Sequence, residues 1–161
     1  MRENVDKTNA MRLLDRAKVP YRVHTYTAED GRIDGVSVAE KTGLPSERVY
    51  KTLVTVGHSR AHYVFVIPVE RELDLKKAAK SVGEKSVEML HVADLNRVTG
   101  YVRGGCSPLG MKKAFVTRID GSAESFSEIA VSGGRIGSQV ELNPGALKTL
   151  AGAEYADLVQ K

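Results

Sequence analysis

The spacing of apolar residues changes repeatedly between the helical and the strand period, which predicts short helices and short strands along the whole chain. Apolar residues at helical spacing follow Thr8, a residue that favours the N-terminal cap, and they predict a first helix. Capping residues and terminal glycines predict three more helices, which run from Ser37 to Gly43, from Asp74 to Gly83 and from Asn143 to Gly152. A helical turn is expected over Ala93–Val98.

Runs rich in β-branched and aromatic residues predict strands between these helices. They cover Tyr21–Tyr26, Leu53–Val56, His62–Ile67, Val87–Leu90, Ala114–Ile119, Ile129–Ser132 and Val140–Leu142. The second and third runs are joined by residues 57–60, which predicts a β-hairpin whose second strand is buried in a sheet. The mixed order of elements predicts an α+β fold with a curved mixed sheet and helices packed on it.

The composition is that of an ordinary folded protein and excludes several classes of function. The 161 residues are 42% hydrophobic and 27% charged, and no linker or repeat divides them, so a single domain over 1–161 is expected. The single cysteine, Cys106, excludes a disulfide framework and a multi-cysteine metal site. No apolar run approaches the ~20 residues of a membrane span, and no signal peptide is evident, so we expect a cytoplasmic protein without a membrane partner.

The charge balance permits binding to nucleic acid without requiring it. The net charge is +4, far below that of histone-like proteins. Lys76, Lys77, Lys80, Lys112 and Lys113 could line a path for an RNA backbone, although a solvated surface is the more common role of such lysines. The histidines lack metal-binding spacing and the carboxylates form no catalytic pair, so no metal and no cofactor are expected.

Two glycine-rich loops are the strongest indication of a ligand site. One covers Gly104–Gly110 and the other Ser132–Gly137. In such loops the backbone approaches a ligand closely, and successive N–H groups can bind a phosphate or a developing oxyanion. Neither loop matches a P-loop or a dinucleotide-binding fingerprint. A tight turn is the ordinary alternative for one such loop, but two of them in one small domain favour a ligand site.

Two single residues are further candidates. Lys51 lies at the start of an otherwise apolar strand, where its ammonium could bind phosphate or carboxylate or hold a substrate carbonyl. An edge-strand lysine that prevents aggregation is an equal alternative. Cys106 could act as a nucleophile, but no histidine forms a motif with it, and a small buried hydrophobic residue is the favoured interpretation. The residues alone predict a site of Lys51 and the two loops without naming its reaction.

Four segments resemble the YbaK family of free-standing aminoacyl-tRNA deacylases, which are related to the editing domain of bacterial prolyl-tRNA synthetase. The segments are Val49–Leu53, Leu73–Ala79, Thr99–Gly110 and Val131–Gly134, and they occur in the order found in that family. The likeness extends from the first helix to the last and covers nearly the whole chain. It implies the fold of that editing domain, with a partly barrel-like sheet flanked by helices.

The resemblance also implies an activity, because the chain is most similar to the branch that acts on Cys-tRNA(Pro). Such an enzyme releases cysteine from mischarged Cys-tRNA(Pro), in a transient complex with prolyl-tRNA synthetase. Cysteine and proline are similar in size, so one binding pocket discriminates weakly between them and a second site must edit. The implied mechanism is substrate-assisted: the cysteine thiol attacks its own ester carbonyl, while the protein positions the ester and stabilises the oxyanion.

Residue roles follow from the same resemblance. Lys51 would anchor the substrate end of the tRNA, the backbone of Gly104 would donate to the carbonyl oxygen, and Ser132 would position the aminoacyl group. Further substrate-binding positions of the family are matched by Tyr26, Thr52, Gly105, Ser107, Pro108, Gly133 and Gly134.

Two positions depart from the family pattern, and both are expected to border the pocket. Ile33 and Asp34 stand in the region where relatives have an aromatic residue, and Gln139 stands where relatives have an acidic one.

Two other functions stay open. One is a deacylase for another small amino acid such as alanine, which would need an activated water. The other is a non-catalytic module that binds tRNA or a synthetase.

Overall fold

Short helices and strands alternate through the part of the chain that the computed structural model describes, residues 7–161. The α-helices are Asn9–Arg16 (α1), Gly35–Thr42 (α2), Leu75–Val82 (α3), Val92–Thr99 (α4) and Pro144–Ala151 (α5). The strands are Arg22–Thr25 (β1), Tyr50–Gly57 (β2), His62–Pro68 (β3), Val87–Met89 (β4), Val116–Asp120 (β5), Ile129–Ser132 (β6), Ser138–Leu142 (β7) and Glu154–Ala156 (β8). Over this range, no helix has the length and apolar character needed to cross a lipid bilayer.

The strands form two sheets. The first has the order β1-β7-β6 and is antiparallel throughout. The second has the order β4-β2-β3-β5-β8, in which the β2–β3 hairpin is antiparallel and β5 pairs in parallel with both β3 and β8. An isolated parallel bridge between Val49 and Ala130 joins the two sheets. The predicted α+β fold is confirmed, although its strands are divided between two sheets and neither sheet closes into a barrel.

Most helix ends lie where the sequence predicts them, because the capping side chains make the expected hydrogen bonds. Thr8 Oγ1 accepts from the Met11 N–H, and Asn143 Oδ1 accepts from the Ala146 N–H. Asp74 accepts from two N–H groups of the first turn of α3. Left-handed glycines follow α2, α3 and α5 at Gly43, Gly83 and Gly152. Glycine adopts that conformation without the steric penalty of a side chain.

Three details of the sequence prediction are corrected. Helix α2 begins three residues earlier than expected, because its cap is Asp34 rather than Ser37. Leu75, expected to face inward, is 42% exposed because it stands at the first position of α3. Strand β8 was not predicted, since its three residues carry no run of β-branched side chains.

The main hydrophobic core fills the space between the two sheets and is closed by α1 and α5. Its buried members include Leu14 of α1, Tyr50 of β2, Val140 of β7 and Leu147 of α5. A second cluster packs α3 against the outer side of the five-stranded sheet around Phe65. The predicted buried centre of the hairpin is therefore confirmed, because residues 64–67 are fully shielded from solvent.

We expect Asp34→Ala to lower the free energy of unfolding by about 1 kcal/mol, the usual effect of losing an N-terminal cap. The Asp34 carboxylate accepts from both the hydroxyl and the backbone N–H of Ser37. These hydrogen bonds, the hydroxyl first, hold the pKa of Asp34 below its ordinary value. A lowered folded-state pKa gives a stabilisation that is present at neutral pH and is lost as the pH falls through that pKa.

Urea denaturation at neutral pH and at about pH 3 measures this effect, since carboxyl groups become protonated in that range. The stability difference between wild type and variant should shrink at the lower pH. Glu29→Ala, which removes an exposed carboxylate from the same loop, is the matched control and should change stability little. An equal loss at both pH values would show that Asp34 does not stabilise α2 as a carboxylate.

Candidate active site

A cavity of about 200 Å³ lies where the two sheets meet, and the three predicted catalytic residues line it. Residues 49–53, at the start of β2, form one wall and contribute Lys51 and Thr52. Ser132 of β6 and Gln139 of β7 form another, and Gly104 contributes from the first glycine loop. Drug-sized ligands occupy pockets of roughly 300–1,000 Å³. The cavity therefore suits a smaller group.

Lys51 lines this cavity, and within residues 7–161 its ammonium makes a single weak ion pair. Its Nζ lies 3.9 Å from Oε2 of Glu72, whose side chain is 76% exposed. An exposed, long-range pair of this kind contributes little and is readily exchanged for another anion. Arg103 also lines the cavity and is exposed. The cavity thus combines an apolar floor with two cations that can meet a phosphate.

The two glycine loops touch each other through their backbones. A Cβ added to Gly105 would lie 2.9 Å from backbone atoms of Arg135 and Ile136 in the second loop. The neighbouring Gly104 has a φ of +87° and packs against the side chain of Ile33. Glycine is required at both positions, at Gly105 for the close approach and at Gly104 also for the left-handed conformation.

Ser132 holds the second glycine loop in place. Its Oγ accepts from the N–H of Gly134 at 3.1 Å, which leaves the hydroxyl proton available for another acceptor. Gly133 is fixed on both sides: its N–H donates to the Ser138 carbonyl, and its own carbonyl accepts from Thr8 Oγ1 at 2.5 Å. The cap of α1 therefore also anchors this loop.

Several predicted substrate-binding residues lie behind the cavity wall rather than in it. Gly105, Gly133 and Gly134 shape the loops, as described above. Ser107 is fully buried and its Oγ accepts from the Leu109 N–H, while Pro108 lines a separate cavity. The structure does not bring these residues to the cavity. The Tyr26 hydroxyl is buried without a hydrogen-bond partner in residues 7–161.

Cys106 lines the cavity but is buried, with 8% of its surface exposed. Burial raises the pKa of its thiol to about 12. The thiol is therefore protonated at neutral pH and is a poor nucleophile. The interpretation of Cys106 as a small buried hydrophobic residue is confirmed.

Residues at the two departures from the family pattern border the cavity, as expected. Ile33 and Asp34 line one side and Gln139 lines another.

Lys41, which the sequence did not single out, fixes the loop that carries Ile33. Its ammonium donates to the carbonyls of residues 27 and 32 and to the carboxylate of Asp30, at 2.7–2.9 Å. A lysine with three oxygen partners leaves no signal in sequence spacing, because those partners are mostly backbone groups.

A buried carboxylate, Glu141 of β7, links three segments beside the cavity, on the same face of β7 as Gln139. Its Oε1 lies 2.8 Å from Nε2 of His24, and its Oε2 accepts from Nη1 of Arg48 at 3.3 Å. Burial by itself raises the pKa of Glu141, but the His24 hydrogen bond and the charges of Arg22 and Arg48 bring the pKa below its ordinary value. Because Arg48 lies two residues before β2, this carboxylate holds the start of β2 against β7.

In residues 7–161, no group of three or more histidine, cysteine, aspartate or glutamate side chains is placed to hold a metal ion.

A match to a protein family covers most of the chain, and it includes most of the residues that line the cavity. The aminoacyl-tRNA editing domain family matches residues 34–150, a range that includes Lys51, Gly104, Ser132 and Gln139. The chain belongs to this family, which confirms the predicted resemblance to YbaK proteins. Since editing removes the amino acid from its tRNA ester, the protein is an aminoacyl-tRNA deacylase.

A protein of Enterococcus faecalis (strain ATCC 700802 / V583) is 48% identical over 155 residues, which cover 96% of this chain and 94% of that protein. It is named "Putative Cys-tRNA(Pro)/Cys-tRNA(Cys) deacylase EbsC". A solved structure of "a putative trans-editing enzyme for prolyl tRNA synthetase" superposes with a TM-score of 0.83 at 24% identity, covering 98% of this chain and 100% of that one. Hypothetical protein APE2540 superposes with a TM-score of 0.85 at 21% identity, covering 95% and 100%. These two structures establish the fold.

We expect Gly105→Ala to lower the free energy of unfolding by about 1–3 kcal/mol, the usual range for forcing extra atoms into a packed region. The added Cβ meets backbone atoms of the second loop, which cannot rotate away as a side chain would. Gly121→Ala is the matched control, since its Cβ would lie 3.8 Å from its nearest neighbour. Thermal or urea denaturation measures both variants. Equal stability of the two would show that the glycine loops are not in close contact.

Proposed function

We propose that the protein releases cysteine from mischarged Cys-tRNA(Pro), with the substrate's own thiol as the nucleophile. The observation that carries this proposal is a cavity that joins Lys51, Gly104 and Ser132 but contains no nucleophile–base pair among the described residues. The name of the E. faecalis relative supports cysteine as the amino acid. Residues 1–161 would act as one deacylase domain in the cytoplasm, where aminoacyl-tRNA is made and used.

The residues that could attack an ester directly are unsuitable. Cys106 is protonated at neutral pH because burial raises its pKa to about 12. Within residues 7–161, no histidine lines the cavity, and His24 is bound to Glu141. We infer that the nucleophile in this cavity arrives with the substrate or as water.

The cysteinyl ester supplies such a nucleophile. The thiol sulfur forms a bond to the ester carbonyl carbon, the bond from that carbon to the tRNA ribose oxygen breaks, and the thiol proton ends on the released hydroxyl. Water then opens the cyclic thioester to free cysteine. The reaction is intramolecular, so the protein contributes mainly by holding the thiol close to the carbonyl.

Backbone and hydroxyl donors around the cavity fit the oxyanion that this attack creates. The Gly105 N–H donates to the Val102 carbonyl, whereas the Gly104 N–H has no hydrogen-bond partner in residues 7–161. The Ser132 hydroxyl proton is likewise available. Preorganised donors of this kind stabilise a developing oxyanion. Lys51, with Arg103 beside the cavity, would hold the terminal nucleotide through its phosphate.

Mischarged tRNA is the proposed substrate, and selection of the tRNA is proposed to come from prolyl-tRNA synthetase in a transient complex. Part of the basic surface is committed to the fold: Lys77 donates to the Val159 carbonyl and pairs with Asp157. Such a surface provides few contacts that read a tRNA sequence. Equal rates on Cys-tRNA(Pro) and Cys-tRNA(Cys), with or without the synthetase, would argue against this complex.

We expect the wild type to deacylate Cys-tRNA(Pro) rapidly and to leave both Ala-tRNA(Pro) and S-methylcysteinyl-tRNA(Pro) intact, because neither of these has a free thiol. Lys51→Ala should lower the rate on Cys-tRNA(Pro) on the order of 100-fold, because an ester whose terminal nucleotide is not anchored is no longer held in a reactive position. Lys85→Ala, which removes an exposed lysine elsewhere, is the control. The measurement is release of labelled amino acid from each tRNA.

The outcomes separate the alternatives. Hydrolysis of Ala-tRNA(Pro) would keep the site but replace the thiol with an activated water. Binding of tRNA without release of any amino acid would identify a non-catalytic module instead.

Cys106→Ala should keep kcat/KM for Cys-tRNA(Pro) within about twofold of wild type, because a protonated, buried thiol makes no transition-state contact. In the native protein the thiol should also react slowly with a disulfide reagent at neutral pH, and rapidly once the chain is unfolded in urea. Cys106→Ser, which keeps nearly the size of the side chain, is the control. Loss of activity in a variant that stays folded would assign Cys106 a role in the reaction.

A further inference from the structure

Gln139 carries an unsatisfied polar atom in the cavity wall. Its residue surface is 6% exposed, yet its Oε1 has no hydrogen-bond partner in residues 7–161. Buried carbonyl oxygens in folded proteins nearly always have a donor, since an unpaired one is destabilising. Because Gln139 lines the cavity, a bound ligand is the natural source of that donor.

The position of Gln139 in the sheet places it next to Ser132. It pairs directly with Ser132 on the neighbouring strand, so both side chains lie on the same face. On its other side it pairs with His24, but Nε2 of that histidine is engaged with Glu141 at 2.8 Å. The neighbours in the sheet therefore leave the Gln139 carbonyl free to face a ligand held by Ser132.

A second unpaired atom lies on the opposite wall. Thr52 Oγ1, on β2, is buried without a partner in the described residues, and Thr52 lines the same cavity. Two unpaired polar atoms on two walls indicate a ligand with polar groups on both sides of a small apolar body. An aminoacyl ester has this form, with an amine on one side of the α-carbon and the ester on the other.

We propose that Gln139 Oε1 accepts a hydrogen bond from the α-amino group of the aminoacyl ester and so requires that this amine be free. The proposal rests on the deacylase function proposed above. A carbonyl oxygen can only accept, and the amine is the strong donor that every aminoacyl ester carries beside its reacting carbon. A peptidyl-tRNA, whose acylated α-nitrogen carries no charge, would donate a weaker hydrogen bond and is disfavoured at this site.

The test compares Cys-tRNA(Pro) with 3-mercaptopropionyl-tRNA(Pro), which keeps the thiol and the ester but lacks the amine. Wild type should prefer the amine-bearing substrate by about 10- to 100-fold in kcat/KM, the range for a hydrogen bond to a charged group. Gln139→Met keeps the side-chain length and should lose this preference by slowing only on Cys-tRNA(Pro). Gln139→Glu keeps an acceptor oxygen and should retain the preference.

Ser138→Ala is the matched control. Its Oγ is also buried and unpaired, but Ser138 is the adjacent residue on β7, points to the other face and does not line the cavity. It should behave as wild type with both substrates. If Gln139→Met lowers kcat/KM equally on both substrates, Gln139 has only a structural role and the proposal is overturned. The proposal is also overturned if Gln139→Met keeps the wild-type preference for the amine-bearing substrate.

Binding of 3′-cysteinylamino-3′-deoxyadenosine and of its counterpart without the amine, measured by calorimetry, keeps the two proposals separate. Amine-dependent binding that is lost in Gln139→Met supports the role of Gln139 even if wild type leaves Cys-tRNA(Pro) intact, a result that would overturn only the proposed function. Binding that is independent of the amine overturns the role of Gln139 even if deacylation is rapid.

Discussion

The bridge between Val49 and Ala130 joins the two sheets beside the cavity, and the placement of the cavity walls depends on it. It joins the start of β2 to β6, and small apolar residues seal the join, with Ala39 and Val69 packed against both. Everything around the cavity follows from this contact. Residues just after Val49 on β2 face residues at the end of β6 and on β7, although they are distant in sequence. Ala130 is a small residue and is buried at this join.

Rigid backbone contacts then give the pocket its shape, and buried polar atoms give it its chemistry. The backbone of Gly105 packs directly against the backbone of the second glycine loop, so the two loops cannot move closer together. The ion pair of Arg48 with the buried Glu141 fixes the opposite side. Within that frame, Thr52 and Gln139 keep polar atoms unpaired. Such atoms destabilise the empty protein, so the large apolar core elsewhere must offset them. This combination is typical of a preorganised binding site rather than of one that closes around its ligand.

Local chemistry made the helix ends and the hairpin predictable from sequence. Caps such as Thr8 and Asn143 act within three residues of themselves, so their effect is visible in the sequence. The division into two sheets was not predictable, because it depends on pairing between distant strands and on a parallel strand, β8, of three residues. The residues alone grouped Lys51 with the two glycine loops, but the individual roles of Gly104 and Ser132 within those loops came from the family resemblance. The unpaired state of Gln139 could be seen only with its neighbours in place.

A cavity with no nucleophile–base pair among its described lining residues solves a selectivity problem for the proposed reaction. Proline and cysteine are too close in size for a pocket of this volume to separate them well by fit. Prolyl-tRNA(Pro) has no thiol, so a site that only positions the ester and stabilises the oxyanion leaves the correct product untouched even when it binds. The same logic exposes a weakness, because correctly made Cys-tRNA(Cys) carries the same thiol. Under the proposed function, a partner that recognises the tRNA would supply the missing selectivity, and the modest charge of this chain is consistent with that proposal.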